Sequence, residues 1–509
     1  MIRGLAAALT GRPIPRNDSR FALVGVALLL AACVSAPERI EPPLAAPAAW
    51  TAVPLASAPG SNDLWWHDFS CAPLNALIEE ALAASPTLAA AAARVEGARA
   101  AATIAGAELY PDLALEGTVQ RQRSQFFAPG APPRTNRFTL HTLQLSTRWE
   151  LDVWGRVRAG TQAALADLQS VEAALAGVRL SLIAQVARTY FALTEANGQA
   201  NNAEANLLVL RALAERIEDR YRLGLRTALD LRLATADLAR AEATAVRRRL
   251  TVDELRRRLE ILVGRYPAGT VTPLLVIPTE LPAPPLGLPS ELLERRPDIV
   301  EAERHVAAQD RRYQQARRAM LPRIALSAAG GYAAQDLADI LDKDFGIWNV
   351  LGNVFAPLFE GGRLRADVAR NQAGLAEALA SLAATTLNAF AEVEHALRGE
   401  VEYRQLESSL ARAVSDSNSA LAILVERYFS GVASTLDLLE AQRRLFDSQS
   451  ALLSAQLAIA VNRVDLHTAL GGGYHGYEPP AEESPPAVTV DGDGSVSADG
   501  SEATGRAGR

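Results

Sequence analysis

Apolar residues return every seven positions near the end of the chain, through Leu438, Leu445, Leu452, Ile459 and Leu466. The same spacing runs through Leu231, Leu238, Ala245, Val252 and Leu259 in the first half. A stripe of that period predicts helices packed along their length with a gentle left-handed supercoil; an ordinary bundle core has the same stripe. No proline or turn cluster interrupts 155–221 or 362–428. Each segment predicts one helix about 100 Å long at the α-helical rise per residue. Residues 229–263 and 436–470 predict second helices of about 50 Å, and the proline-bounded 86–111 a helix of about 37 Å. Laid end to end, the two shorter helices nearly match the long one. That is the geometry of a cylinder wall in which one continuous helix pairs with a stacked pair.

Between 111 and 155 the period falls to two. Leu143, Leu145, Trp149 and Leu151 alternate with Gln144, Ser146, Arg148 and Glu150, so one face is apolar and the other polar. With 113–122 ahead of it and a loop holding Ala128, Pro129 and Gly130 between, the pattern predicts a strand hairpin. Residues 324–332 and 347–355 predict a second, with weaker alternation. Strands of about ten residues with alternating faces suit an outer-membrane barrel. A soluble four-stranded sheet is the plainer reading. Four strands are too few to close a barrel, and lipid does not tolerate an open edge. A barrel therefore predicts oligomerisation.

The two halves are copies. Residues 220–231 recur as 427–438, and 155–158 as 362–365, both 207 positions on. Pro86 and Pro111 recur 211 positions on as Pro297 and Pro322, so a loop between 111 and 155 differs in length. This divides the chain into a lipoprotein signal peptide (1–32), an N-terminal anchor segment (33–85), repeat 1 (86–264), a proline-rich equatorial linker (265–296), repeat 2 (297–471) and a tail (472–509). The linker is expected to wrap the outside of the helices. From 478 the tail is rich in Pro, Gly, Ser and Asp, a composition that predicts disorder.

Composition narrows the function. The net charge of −7 gives no reason to expect nucleic acid as a partner. At the N-terminus, Arg3, Arg12, Arg16 and Arg20 precede the short apolar run 21–30, which ends in Leu30-Ala31-Ala32-Cys33. The run is too short for a permanent span and reads as an export signal with a lipobox. Cys33 is then the lipid attachment point, and that lipid is the only covalent group expected, with no cofactor or metal. Cys71, the other cysteine, is expected to be a buried apolar residue. Nothing marks an enzyme. The chain has no HExxH and no GxSxG, and Lys343, its only lysine, is followed by Asp344, which excludes a P-loop.

The repeated turns carry the best candidate residues. Gly224 and Gly431 stand where helices need a stop. Thr227 with Asp230, and Ser434 with Asp437, match capping boxes. Asp437 and Glu440 lie one helical turn apart on one face.

Three segments resemble the outer-membrane efflux channel proteins, in the lipoprotein branch paired with resistance-nodulation-division pumps: LPSELLERRPDI at 288–299, WELDVWGR at 149–156 and LHTALGGG at 466–473. The resemblance covers about 65 to 474. It implies a mainly α fold with a membrane β-barrel: a homotrimer with a twelve-stranded barrel in the outer membrane, continued by a periplasmic α-helical barrel. It also implies two partners, a periplasmic adaptor (membrane fusion) protein and an inner-membrane pump, alongside outer-membrane lipid. By resemblance, Asp437 and Glu440 form acidic rings at a periplasmic gate, and the turns Leu223-Gly224-Leu225 and Ser430-Gly431-Val432 touch adaptor hairpins. Where some members carry a gate-locking arginine this chain has Ala433, and Arg427 is the candidate substitute. The sequence leaves two alternatives, a type I protein-secretion channel and a lipid-anchored helical scaffold or adhesin.

Overall fold

The computed structural model describes residue 50 and residues 64–126, 130, 134–282, 293 and 295–472. Cys33 and the tail beyond 472 lie outside these residues, as do 288–292 and 294 of the 288–299 motif.

Helix lengths follow the interruptions read in the sequence. Helix α1 spans Ala72–Ala84 and α2 Pro86–Ala107, each with proline in its first turn, where the missing N–H costs nothing. Helix α3 spans Arg156–Arg222 and α4 Ala228–Leu262. In the second copy, α5 is Pro297–Arg318, α6 Arg363–Phe429 and α7 Thr435–Ala469. Both long helices have 67 residues and both partners 35. The seven-residue stripe faces inward: Leu438, Leu445, Ile459 and Leu466 are buried, as are Ala245, Val252 and Leu259.

Helix α1 is absent from the sequence reading, which left 33–85 as an anchor segment. Leu74, Leu77, Ile78 and Ala81 fall at helical spacing, and the helix follows a 3-10 turn at Trp65–Phe69 in which Trp65, Trp66 and Phe69 are buried. Together they pack on α3 from Leu182 to Ala200, in a core that also takes Cys71 and, from the linker, Val271 and Ile277. Burial raises the pKa of the Cys71 thiol. The linker is pinned where it leaves α4: buried Glu260 accepts the N–H groups of Gly269 and Thr270, each at 2.6 Å.

The strands form one antiparallel sheet in chain order: β1 Ala114–Phe126, β2 Arg134–Leu151, β3 Arg323–Ala334 and β4 Gly346–Phe355. The two expected hairpins are thus one surface, because β2 also pairs with β3 from the other copy. Register aligns the alternation of β2 with that of β1 and β3, while β4 carries apolar residues on both faces, Trp348 and Val350 on one and Ile347 and Leu351 on the other. One face carries rows such as Leu115, Leu145 and Trp348, then Trp149 and Leu326, then Leu151, Ile324 and Val354. The opposite face carries Glu116 with Gln144, Arg148 with Ser327, and Glu150 with Asn353 across β3. Gln144 and Ser146 donate to Glu116 at 3.1 and 2.9 Å. Every residue of β4 is exposed, including Trp348 at 81%, and β1 presents Leu115 and Val119 in the same way. Each outer strand therefore offers an unpaired backbone edge, and apolar side chains have no layer against them.

Candidate functional site

At the end remote from the strands, each long helix stops in the same way. Leu225 N–H reaches the Arg220 carbonyl at 2.8 Å and Gly224 N–H that of Tyr221 at 2.9 Å. In the second copy, Val432 N–H reaches Arg427 at 2.9 Å and Gly431 N–H reaches Tyr428 at 3.1 Å. Gly224 and Gly431 have φ of 73° and 80°, the left-handed conformation that this helix stop requires and that a Cβ opposes. Leu223, Leu225 and Val432 stand exposed at the tips.

The next helices start in capping boxes. Thr227 Oγ1 accepts from Asp230 N–H at 3.2 Å, and Thr227 N–H donates back to Asp230 Oδ2 at 3.1 Å. Ser434 and Asp437 repeat the exchange at 3.1 Å both ways. The Ser434 hydroxyl and N–H together hold the Asp437 carboxyl below the usual carboxylate range.

Glu440 is engaged separately. Its carboxylate accepts from Arg443 at 2.8 and 3.1 Å and from Arg444 at 3.3 Å, which keeps it ionised below the usual range. Asp437 and Glu440 are therefore not a bare acidic pair: one caps a helix and the other is neutralised by two arginines. Sequence reasoning passed over Arg443 and Arg444, although i+3 and i+4 spacing from Glu440 marks both as partners. Glu440 and Arg443 also rim a groove of about 370 Å³ between α3, α4 and α7, facing Asp237 and Arg240 across it. Arg427 lends its carbonyl to Val432 and Ala433, and its guanidinium forms no ion pair among the described residues.

Beneath the turns lies a separate apolar cluster holding Ile217, Ala234, Tyr428, Leu438 and Leu439. The first turn contributes from α3 and α4 and the second from α6 and α7, so the two tips share one core.

The chain's likenesses point one way. The model of the family described as outer membrane efflux protein matches residues 77–265 and 288–472. The pyoverdine export outer membrane protein OpmQ of Pseudomonas aeruginosa is 32% identical over 465 residues, covering 89% of this chain and 96% of that one. The outer membrane protein OprJ of the same organism is 31% identical over 458 residues, covering 88% and 95%. Among solved structures, the outer membrane protein VceC from Vibrio cholerae matches with a TM-score of 0.75 at 29% identity, over 81% of this chain and 100% of that one.

Proposed function

The chain belongs to the outer membrane efflux protein family, and on that premise we propose that three copies close a single duct through which a pump in the inner membrane empties. The protein is an outer-membrane channel component of an efflux system. The observation that carries the trimeric reading is the sheet. It has a face on which apolar rows reach from β1 to β4, an opposite face carrying polar pairs, and two unpaired edges. In lipid such edges must be paired. Strands β1 and β4 run antiparallel in an even-numbered meander, so β4 of one copy can pair with β1 of the next. Three copies make twelve strands with the apolar face toward lipid.

The helices continue the duct into the periplasm, and the turns at residues 223–227 and 430–434 form its far end. Asp437, repeated threefold about a narrow axis, makes that end acidic and favours cations, and Glu440 joins it where Arg443 and Arg444 release its carboxylate. Leu223, Gly224, Leu225, Ser430, Gly431 and Val432 are the contact points for a periplasmic adaptor, since exposed apolar tips suit hairpin partners. The pump behind the adaptor is of the resistance-nodulation-division class. OpmQ exports pyoverdine, and that likeness favours a small-molecule cargo over a secreted protein. No step of this role calls for catalysis.

Purified from outer-membrane fractions, the full chain is expected to run as a heat-modifiable trimer and to open cation-selective channels in planar bilayers. A monomer, or a trimer without conductance, would leave only an anchored scaffold. The mature N-terminus is expected to be acylated Cys33, and Cys33→Ser to abolish the lipid mass increment. Mass spectrometry finding a bare wild-type N-terminus would remove the anchor from this account.

A further inference from the structure

The outward face of the sheet, the one that carries Leu115, Leu145 and Trp149, changes character at the tip of the β1–β2 hairpin. On that face the described residues of the four strands hold three charged side chains, Arg121, Arg123 and Arg137, and no acid. All three are exposed, and none has an ion pair or a side-chain hydrogen bond among the described residues. Glu116, Arg148, Glu150 and Arg323 all stand on the opposite face. At the tip β1 alternates strictly. Gln120, Gln122 and Ser124 take the opposite face, where Gln120 donates to Gln122 at 3.3 Å and Gln122 to Ser124 at 3.1 Å.

The height of the three arginines is what gives them meaning. Helix α2 ends just before β1 and α3 begins just after β2, so the hairpin tip lies at the end of the strands remote from the helices. From Leu151 to His141 the strand advances about 33 Å, or about 25 Å in height at the usual tilt, the height of a barrel's apolar band. Val119 is the register partner of His141 and ends that stretch on β1. Arg121 follows opposite Thr139, and Arg123 opposite Arg137. The cations therefore begin where the apolar band stops, at the level of lipid headgroups. Arg123 and Arg137 are direct register partners, and Arg121 is diagonal to Arg137. Like charges so placed on one face repel, so an anion between them relieves a cost as well as gaining contacts. Guanidinium forks match phosphate oxygens in particular.

We propose that Arg121, Arg123 and Arg137 bind the phosphate groups of the saccharolipid that forms the outer leaflet, one site on each protomer around the barrel. The inference rests on the barrel reading above and adds the lipid that its outer rim holds. A lipid fits better than free phosphate because exposed Leu115 and Val119 lie directly beneath, where acyl chains run.

The test is native mass spectrometry of the full-length trimer in nonionic detergent, titrated with bisphosphorylated lipid A. Wild type is expected to saturate at one molecule per protomer. Arg121→Gln with Arg123→Gln and Arg137→Gln is expected to weaken binding about a hundredfold, from a loss of about fivefold per arginine. Arg94→Gln, at an exposed arginine on α2, is expected to change nothing. Lipid A stripped of its phosphates should bind wild type as weakly as the intact lipid binds the triple variant, and millimolar inorganic phosphate should not displace the intact lipid. Equal binding by wild type and triple variant, equal binding of intact and stripped lipid, or displacement by inorganic phosphate would overturn the site. Added lipid is also expected to raise the temperature at which wild type dissociates, and not that of the triple variant. A lipid-free triple variant that dissociates below lipid-free wild type would show that the arginines instead pair with the acidic connection of the next copy, where Asp336, Asp339, Asp342 and Asp344 lie between β3 and β4. That too would overturn the site. Should the triple variant fail to assemble, Arg123→Gln alone decides, by its own fivefold loss. A trimer that conducts in bilayers without phosphate-dependent binding refutes the lipid site alone, whereas a chain that forms no trimer removes barrel and site together.

Discussion

Replacing Arg463 with alanine is expected to cost about 3–5 kcal/mol of protomer stability, the penalty of leaving a buried charge without its partner. Arg463 is 1% exposed and Glu400, its partner on α6, 8%. The pair is bidentate: Nε donates to Oε1 at 3.0 Å and Nη2 to Oε2 at 2.7 Å. The remaining Nη1 donates to the Pro282 carbonyl, which brings the linker into the same junction. Asn462 adds 2.9 Å and 3.3 Å hydrogen bonds to the Ala396 carbonyl and to Glu400. A single side chain thus ties α6, α7 and the linker together with every donor group in use. Arg463→Ala removes the buried cation and leaves the Glu400 carboxylate with only Asn462 and the exposed Arg404, 3.6 Å away. Arg463→Met with Glu400→Leu removes both charges, and is expected to recover much of the loss. The measurement is the temperature at which the trimer dissociates in detergent. A single variant as heat-resistant as wild type would show that the junction does not depend on this pair.

The second large effect is expected at the turns. Asp437→Ala with Glu440→Ala should raise single-channel conductance severalfold and weaken cation selectivity. The complication is that Asp437 caps α7, so its loss also costs about 1 kcal/mol of local helix stability. The first copy supplies the control, because Asp230 makes the same box with Thr227. Asp230→Ala loosens an equivalent cap. If it raises conductance as much as the double variant, frayed helices and not removed charge explain the effect. If Arg443→Gln with Arg444→Gln, which together free Glu440, instead strengthens cation preference, the acidic reading gains independent support.

Much of this molecule could be read before its structure was known, for identifiable reasons. Long helices declare themselves by what they lack, and neither 155–221 nor 362–428 contains a proline. The turns were legible because glycine, Ser or Thr, and Asp recur there in the same order twice. Helix α1 was missed because its apolar residues follow a tryptophan-rich turn and precede a proline break. The pairing of β2 with β3 joins strands from different repeats, and neither hairpin pattern contains that information. At the turns, sequence reading found the acids and one cation, Arg427, and overlooked Arg443 and Arg444, which engage Glu440. Glu440 with Arg443 was within reach of local spacing. The Arg226 guanidinium, 4.7 Å from the centre of the Tyr428 ring, was not, because contact between residues so far apart depends on two hairpins ending at the same height.

That equality of height is itself a constraint on change. Helices α3 and α6 match in length, as do α4 and α7, and each is packed along a seven-residue repeat. An insertion in one of them would carry one tip past the other and turn its stripe away from the neighbour. Lengthening is tolerable only in steps of whole heptads, about 10 Å each, made in all four helices together. The protein therefore behaves as a ruler cut twice from one template: its reach below the membrane is quantised, and neither copy can revise it alone.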